Sequence, residues 1–334
     1  MAEMNEGNIK LDLNEFSLQI FLIGGGKGDG EGILILFLSK DEVFRTISID
    51  CCKTVISGTE SNLLEKVLKS FEVDKIDCFV WTHPHDDHSK GLDTLIDSFY
   101  RKSSIGVLPK QIYGNDNDIV NMKDYPRKVL KKFNSTFKKK NLKSIDCQCK
   151  EMRSVYAFSI EDTLTGHIAN VQLYCLTPMA FLLDDKRRTG KKISDTYLND
   201  ISLSLILDID GYSFFFGGDA SDKTLKECNT DSLYKCRWIK VPHHASKTSS
   251  NVISYFNNSV DSAAVISFLS QHLPNSEVLR KYQGITQQIY VTQKEKTDVS
   301  AFGMIRYCYT FKDSAVQLKV TRYGNAYKYD EKQS

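Results

Sequence analysis

Short apolar runs recur along the chain, and most stop at Gly, Asp or His: 18–24 (LQIFLIG), 33–38 (ILILFL), 45–50 (RTISID), 76–82 (IDCFVWT), 170–177 (NVQLYCLT), 201–209 (ISLSLILDI), 212–219 (YSFFFGGD), 237–244 (RWIKVPHH), 263–269 (AAVISFL) and 287–292 (QQIYVT). Their shortness and their β-branched and aromatic content predict strands. Helix-like stretches lie between them at 62–71, 91–100, 126–140, 223–229 and 276–282. The succession predicts an α/β chain with antiparallel hairpins early and strand–helix units after them. Runs ending near 82 and near 242 both deliver histidines at their C-terminal ends. Strand ends of separate sheets meeting at one edge imply a sheet-on-sheet core flanked by helices. No linker rich in Pro, Gly or Ser divides the 334 residues, so the expectation is one domain over 1–334 with a basic insert at about 114–153.

Composition is that of a globular protein, with 41% hydrophobic and 26% charged residues. The longest apolar run, 33–38, is far too short to cross a bilayer, and the N-terminal stretch MAEMNEGNIKLDLNEF has acids where a signal peptide needs cations and no apolar core behind them. Nine scattered cysteines without framework spacing read as reduced thiols. The expected location is therefore the cytoplasm, with no membrane partner; oligomeric state is not legible. Net charge is only +2, but 123–153 carries a local +8 and leaves the rest of the chain at −6.

The chemistry concentrates in Cys78–Gly91, CFVWTHPHDDHSKG, which holds three of the seven histidines. His83 and His85 are two apart, so an extended segment sends both imidazoles to one side. Asp87 and His88 follow at the turn before a helix-like stretch. Imidazole and carboxylate together suit zinc, manganese or iron. A polar surface turn is the competing reading for one or two histidines, and it is weak for HxHxDH after a buried strand. Asp219, after Gly217-Gly218, can bridge two cations or, more plainly, cap the next helix. Of the adjacent His243 and His244, one is expected to bind metal and the other to meet substrate or support a ligand.

These residues resemble the metallo-β-lactamase superfamily of metal-dependent hydrolases. More narrowly, the order GGGKGDGEGILI, WTHPHDDHSKG, LYCLTP, LNDISLSL, FFFGGD, IKVPHHASKTSS, AAVISFLSQHLP is similar to the soluble hydrolase domain of competence-type DNA-uptake proteins, over roughly 17–295. The resemblance implies an αββα sandwich, two mixed β-sheets flanked by helices, with one or two divalent ions (Zn or Mn) at its edge. It implies that His83 and His85 hold the first ion, that Asp87, His88 and His243 hold the second, and that Asp219 bridges, with Asp50 orienting ligands from behind. Asp87, His244 and His272 are the catalytic candidates. Many superfamily members carry a further histidine in a Gly-His context. His167 mimics that context but falls too early, and reads as a surface hairpin residue, while Leu198-Asn199-Asp200-Ile201-Ser202 occupies the place of the missing ligand.

A divalent ion activates water at neutral pH, so hydrolysis is the chemistry this constellation does best. The basic segment, with Lys131, Lys132, Lys138, Lys139 and Lys140, and the loop with Arg187, Arg188, Lys191 and Lys192 favour phosphates, although a charge run is usually a solvated face. The expected partner is nucleic acid or another phosphodiester substrate, and the expected activity is that of a phosphodiesterase or nuclease. The alternatives are a hydrolase of small esters, lactones or thioesters, and a weakly catalytic regulatory module in a bacterial defence or toxin system.

Overall fold

The computed structural model describes residues 8–24, 30–56, 58–109, 122–138, 144–147, 152–177, 195–228, 230–267, 273–293, 302–312 and 315–330. Within them, two mixed sheets stack face to face. The first runs Ala315–Gly324, Gly303–Lys312, Phe16–Gly24, Glu31–Ser39, Glu42–Ile49, Cys78–Val80, Ile105–Pro109, Ser144–Cys147. The second runs Ile9–Leu11, Arg153–Asp162, Ile168–Cys175, Leu205–Ile209, Tyr212–Phe216, Cys236–Lys240, Ser262–Val265, Ile289–Val291, Tyr327–Lys328. In the first sheet, antiparallel pairing from Phe16 to Ile49 gives way to parallel pairing at Cys78–Val80. In the second the same change falls between Tyr212–Phe216 and Cys236–Lys240. A parallel neighbour needs a crossover, which is why helices begin at those points.

Alternation along each strand splits the apolar residues between two layers. Leu34 and Leu36 face outward while Ile33, Ile35 and Phe37 face the opposite sheet, and all are buried. A strand covered on both faces must read as an unbroken apolar run, and ILILFL does. The inner layer joins Leu18 and Ile20 of the first sheet to Leu173, Leu207, Phe214 and Trp238 of the second. Outside the first sheet pack the helices Leu63–Ser70, Leu92–Phe99 and Asp124–Phe133, through Leu64, Leu68, Leu95, Ile96, Val129 and Phe133. Outside the second packs Ser276–Gln283, through Val278, Leu279 and Tyr282. The layers are helix, sheet, sheet, helix: an αββα sandwich.

Two differences from the sequence reading stand out. The region 201–209 is strand only at Leu205–Ile209, after a short helix at Asp195–Asp200. The long hairpin of Gly303–Lys312 and Ala315–Gly324, paired over its whole length, is absent from the predicted strands. No helix of the described residues is long and apolar enough to cross a membrane.

Candidate metal centre

Strand Cys78–Val80 leads through Trp81 and Thr82 to His83, and His85 precedes the single helical turn Asp86–Ser89 that carries Asp87 and His88. Tyr212–Phe216 ends in Gly217-Gly218-Asp219. Gly218 has φ +52, and a Cβ there would lie 2.3 Å from Leu203 O, so only glycine fits the turn that presents Asp219. Cys236–Lys240 continues through Val241 and Pro242 into His243 and His244.

These ends meet on one oxygen. Asp219 Oδ2 lies 3.9 Å from His83 Nε2, 3.5 Å from His88 Nε2 and 3.4 Å from His244 Nε2. Asp87 Oδ2 lies 3.5 Å from both His88 Nε2 and His244 Nε2. Two overlapping groups of donors result: Glu31, His88, Asp219 and His244 in one, and His83, His85 and Asp219 in the other. Asp219 belongs to both, as a bridging carboxylate would.

The outer nitrogens decide which atom each ring offers. His88 Nδ1 donates to Asp50 Oδ2 at 2.7 Å, and His244 Nδ1 donates to Ile266 O at 3.0 Å. His83 Nδ1 faces Thr82 Oγ1 at 3.1 Å and Ser202 Oγ at 3.2 Å. Thr82 Oγ1 in turn donates to Asp50 Oδ2 at 2.6 Å, and Ser202 Oγ accepts the Asp219 N–H at 3.0 Å. With Nδ1 occupied, Nε2 is the atom that His83, His88 and His244 present to Asp219. Such outer bonds orient imidazole ligands and raise their basicity.

Electrostatics follow from burial. Burial works against a charged His88, but Asp219, Asp87 and Asp50 outweigh it and hold the ring well above the usual imidazole range. Burial likewise opposes charge on His244, and Asp219 and Asp87 push it up to about 10. Asp219 is disfavoured as an anion by burial, yet His244 and His88 hold it well below the usual carboxylate range. His83 goes the other way, lowered by burial and by the neighbouring His88 and His85. The carboxylates demand positive charge at this point, and a divalent cation answers it. His88 Nε2 and Asp219 Oδ1 are buried with no hydrogen-bond partner among the described residues, which fits a site shaped for an ion.

The histidine pair falls out differently from the expected order. His244, 2% exposed, is the one inside the cluster, whereas His243 Nε2 accepts from Asn199 Nδ2 at 3.1 Å and its Nδ1 meets Thr248 Oγ1 at 2.8 Å. The cause is backbone. His243, His244 and Ala245 all have positive φ (47°, 52° and 60°), so the extended geometry assumed for neighbouring residues does not apply. Left-handed L-residues cost roughly 1–2 kcal/mol each. The turn is held by His243 N–H on Gly218 O (3.0 Å) and Asn275 N–H on Ala245 O (3.1 Å).

His272 lies outside the described residues, as do Lys139, Lys140, Arg187, Arg188, Lys191 and Lys192. His167 is 53% exposed at a hairpin, with Nε2 2.9 Å from Asp210. Glu31 and Lys240, buried beside the cluster, are not among the site residues expected from sequence; their one mark there is a lysine closing the apolar strand CRWIK. The basic helix Asp124–Phe133 is pinned by Phe133, stacked on Trp81 with centroids 6.0 Å apart, and Lys123 Nζ reaches within 3.9 Å of Asp86, next to Asp87. Its exposed Tyr125 lies under Lys90 and Lys128 at 5.7 and 5.8 Å.

No protein-family model and no curated protein matches the chain. Among solved structures it is similar to the metallo-beta-lactamase fold protein YhfI from Bacillus subtilis, at 12% identity and a TM-score of 0.40, over 84% of this chain and 97% of that one.

Proposed function

We propose that this chain is a metal-dependent hydrolase of phosphodiesters, with nucleic acid as its substrate class, working in the cytoplasm. The observation that carries the reading is the convergence of three histidine Nε2 atoms on Asp219 Oδ2 within 3.9 Å, each ring fixed by a bond to its outer nitrogen. In this reading Asp87, His88, Asp219 and His244 hold one divalent ion and His83, His85 and Asp219 a second, zinc or manganese by donor type. An ion bound there supplies an activated water and a Lewis acid for the substrate oxygen.

The residues around the cluster do the rest. His243, half-buried and lowered from the usual imidazole range by that burial, faces Asn199 and Thr248 at the rim rather than the carboxylates. We assign it the substrate side of the reaction, exchanging the roles first expected for the two histidines. Lys128 and Lys131 lie on the helix packed against the ligand turn, and Lys123 stands at its N-terminal end beside Asp86, where a polyanion would meet them. The likeness of WTHPHDDHSKG and IKVPHHAS to competence-type hydrolase domains supports the same substrate class. The test is turnover of single- and double-stranded DNA and RNA by the reconstituted protein with zinc, manganese or magnesium. Metal uptake without cleavage of any of these would move the assignment to small esters, lactones or thioesters.

A further inference from the structure

Lys240 is fully buried, Glu31 is 1% exposed, and the two meet at 2.6 Å. They come from different sheets: Glu31 opens strand Glu31–Ser39 and Lys240 closes strand Cys236–Lys240. The pair therefore ties the two sheets together at the edge that carries the histidines. Lys240 Nζ also donates to Gly218 O at 3.0 Å and stands 3.9 Å from Asp219 Oδ1. On the other side, one Glu31 carboxylate oxygen lies within 4.8 Å of the donor atoms of His88, Asp219 and His244. Neither Glu31 oxygen has a hydrogen-bond partner among the described residues, so Oε2 meets Lys240 as an ion pair alone and stands 3.7 Å from His244 Nδ1. Burying two charges is costly, and an apolar pair of similar volume often serves stability as well or better. The position of this pair points instead to the ion.

Glu31 has the chemistry, the burial and the reach of a ligand, yet its Oε2 is engaged by Lys240. We propose that Glu31 is a reserve carboxylate that Lys240 holds out of the coordination shell, so that the pair sets the ligand charge of the ion shared by His88, Asp219 and His244. A further carboxylate on a divalent cation tightens binding and offsets its charge, leaving a poorer Lewis acid. Lys240 prevents both effects: it neutralises Glu31, and through Gly218 O it fixes the turn from which Asp219 projects. Lys240 is thus a positioning residue, and Glu31 a ligand only in its absence. The inference rests on reading the cluster as a metal site.

Cobalt(II) titration, followed by visible absorption and by equilibrium dialysis, separates the possibilities in wild type, Glu31→Gln, Lys240→Met and the double variant Glu31→Gln/Lys240→Met. Lys240→Met should bind the ion about tenfold tighter than the double variant, which shares its loss of the Gly218 contact, a shift of the size that neighbours of metal ligands produce, with weaker absorption as Glu31 raises the coordination number. Glu31→Gln, which keeps Lys240 on Gly218 O, should match the wild type in affinity and spectrum. A Glu31→Gln protein that binds about tenfold more weakly would show that Glu31 is already a ligand and overturn the proposal. So would a Lys240→Met protein that binds no tighter than the double variant. Should Lys240→Met fail to fold, Glu31→Gln decides alone by the same criterion. A wild-type protein that takes up no cobalt, zinc or manganese overturns the metal reading itself, an outcome distinct from any difference among the variants.

Discussion

Asp50 Oδ2 and His88 Nδ1 are 2.7 Å apart with both side chains fully buried. Asp50 adopts φ 55°, outside the strand that precedes it, and its other oxygen accepts the Thr82 N–H at 2.7 Å. One carboxylate thus positions a candidate ligand and the residue before another. Asp50→Asn keeps the shape and removes the charge, and should lower metal affinity by about 10–100-fold. Dialysis against zinc or manganese measures this. An unchanged affinity would make the contact purely structural.

The histidine pair gives the next expectation. His244→Ala should lose metal occupancy, because Nε2 of His244 lies 3.4 Å from Asp219 and 3.5 Å from Asp87. His243→Ala should keep its metal and lose turnover. Metal analysis beside a rate assay on each variant distinguishes them, and the reverse pattern would restore the order first expected from sequence.

Gly218→Ala tests the turn that presents Asp219. The new Cβ would stand 2.3 Å from Leu203 O at a φ of +52. Left-handed strain alone costs about 1–2 kcal/mol, and relief of the clash must displace the turn. Chemical denaturation should show a loss of at least that size together with weaker metal binding; a variant as stable as wild type would mean that the turn adopts another path.

Metal should stabilise the folded chain, since the buried carboxylates and imidazoles are gathered only when it folds. At a free concentration 100 times Kd the gain is about 2.7 kcal/mol. A melting temperature that rises with added zinc or manganese, and falls back with chelator, is the expected result. No change at saturating metal would speak against a site preformed by folding.

Nucleic-acid binding should weaken with salt. Each phosphate contact by Lys123, Lys128 or Lys131 contributes a slope of about −0.7 to −0.9 in log affinity against log salt. Replacing the three with glutamine should flatten that slope for all sequences alike, while a small artificial phosphodiester is still turned over. Feeble binding by the wild type at low salt would remove nucleic acid as the substrate class.

The sequence made some of this legible and hid the rest for physical reasons. His83, His85, Asp87 and His88 are local in sequence, and a buried strand before them signals a shared edge. Asp219 could be found because glycine marks its turn. The order of His243 and His244 could not, since it depends on a left-handed turn that none of the three residues favours. Glu31 and Lys240 meet only through the stacking of two sheets, which no local pattern records. In strand Gly303–Lys312 the buried Ile305, Tyr307 and Tyr309 alternate with Arg306, Cys308 and Thr310; that period of two was present, but it dilutes the apolar run that marked the other strands.

Metal stoichiometry tests the account most directly. Protein stripped of metal, reconstituted with zinc or manganese and freed of excess, should retain one to two ions per chain by elemental analysis. Asp219→Asn, which weakens the oxygen shared by both donor groups, should remain folded by circular dichroism and retain markedly less. Wild-type protein that is folded and retains no ion under these conditions would contradict the account.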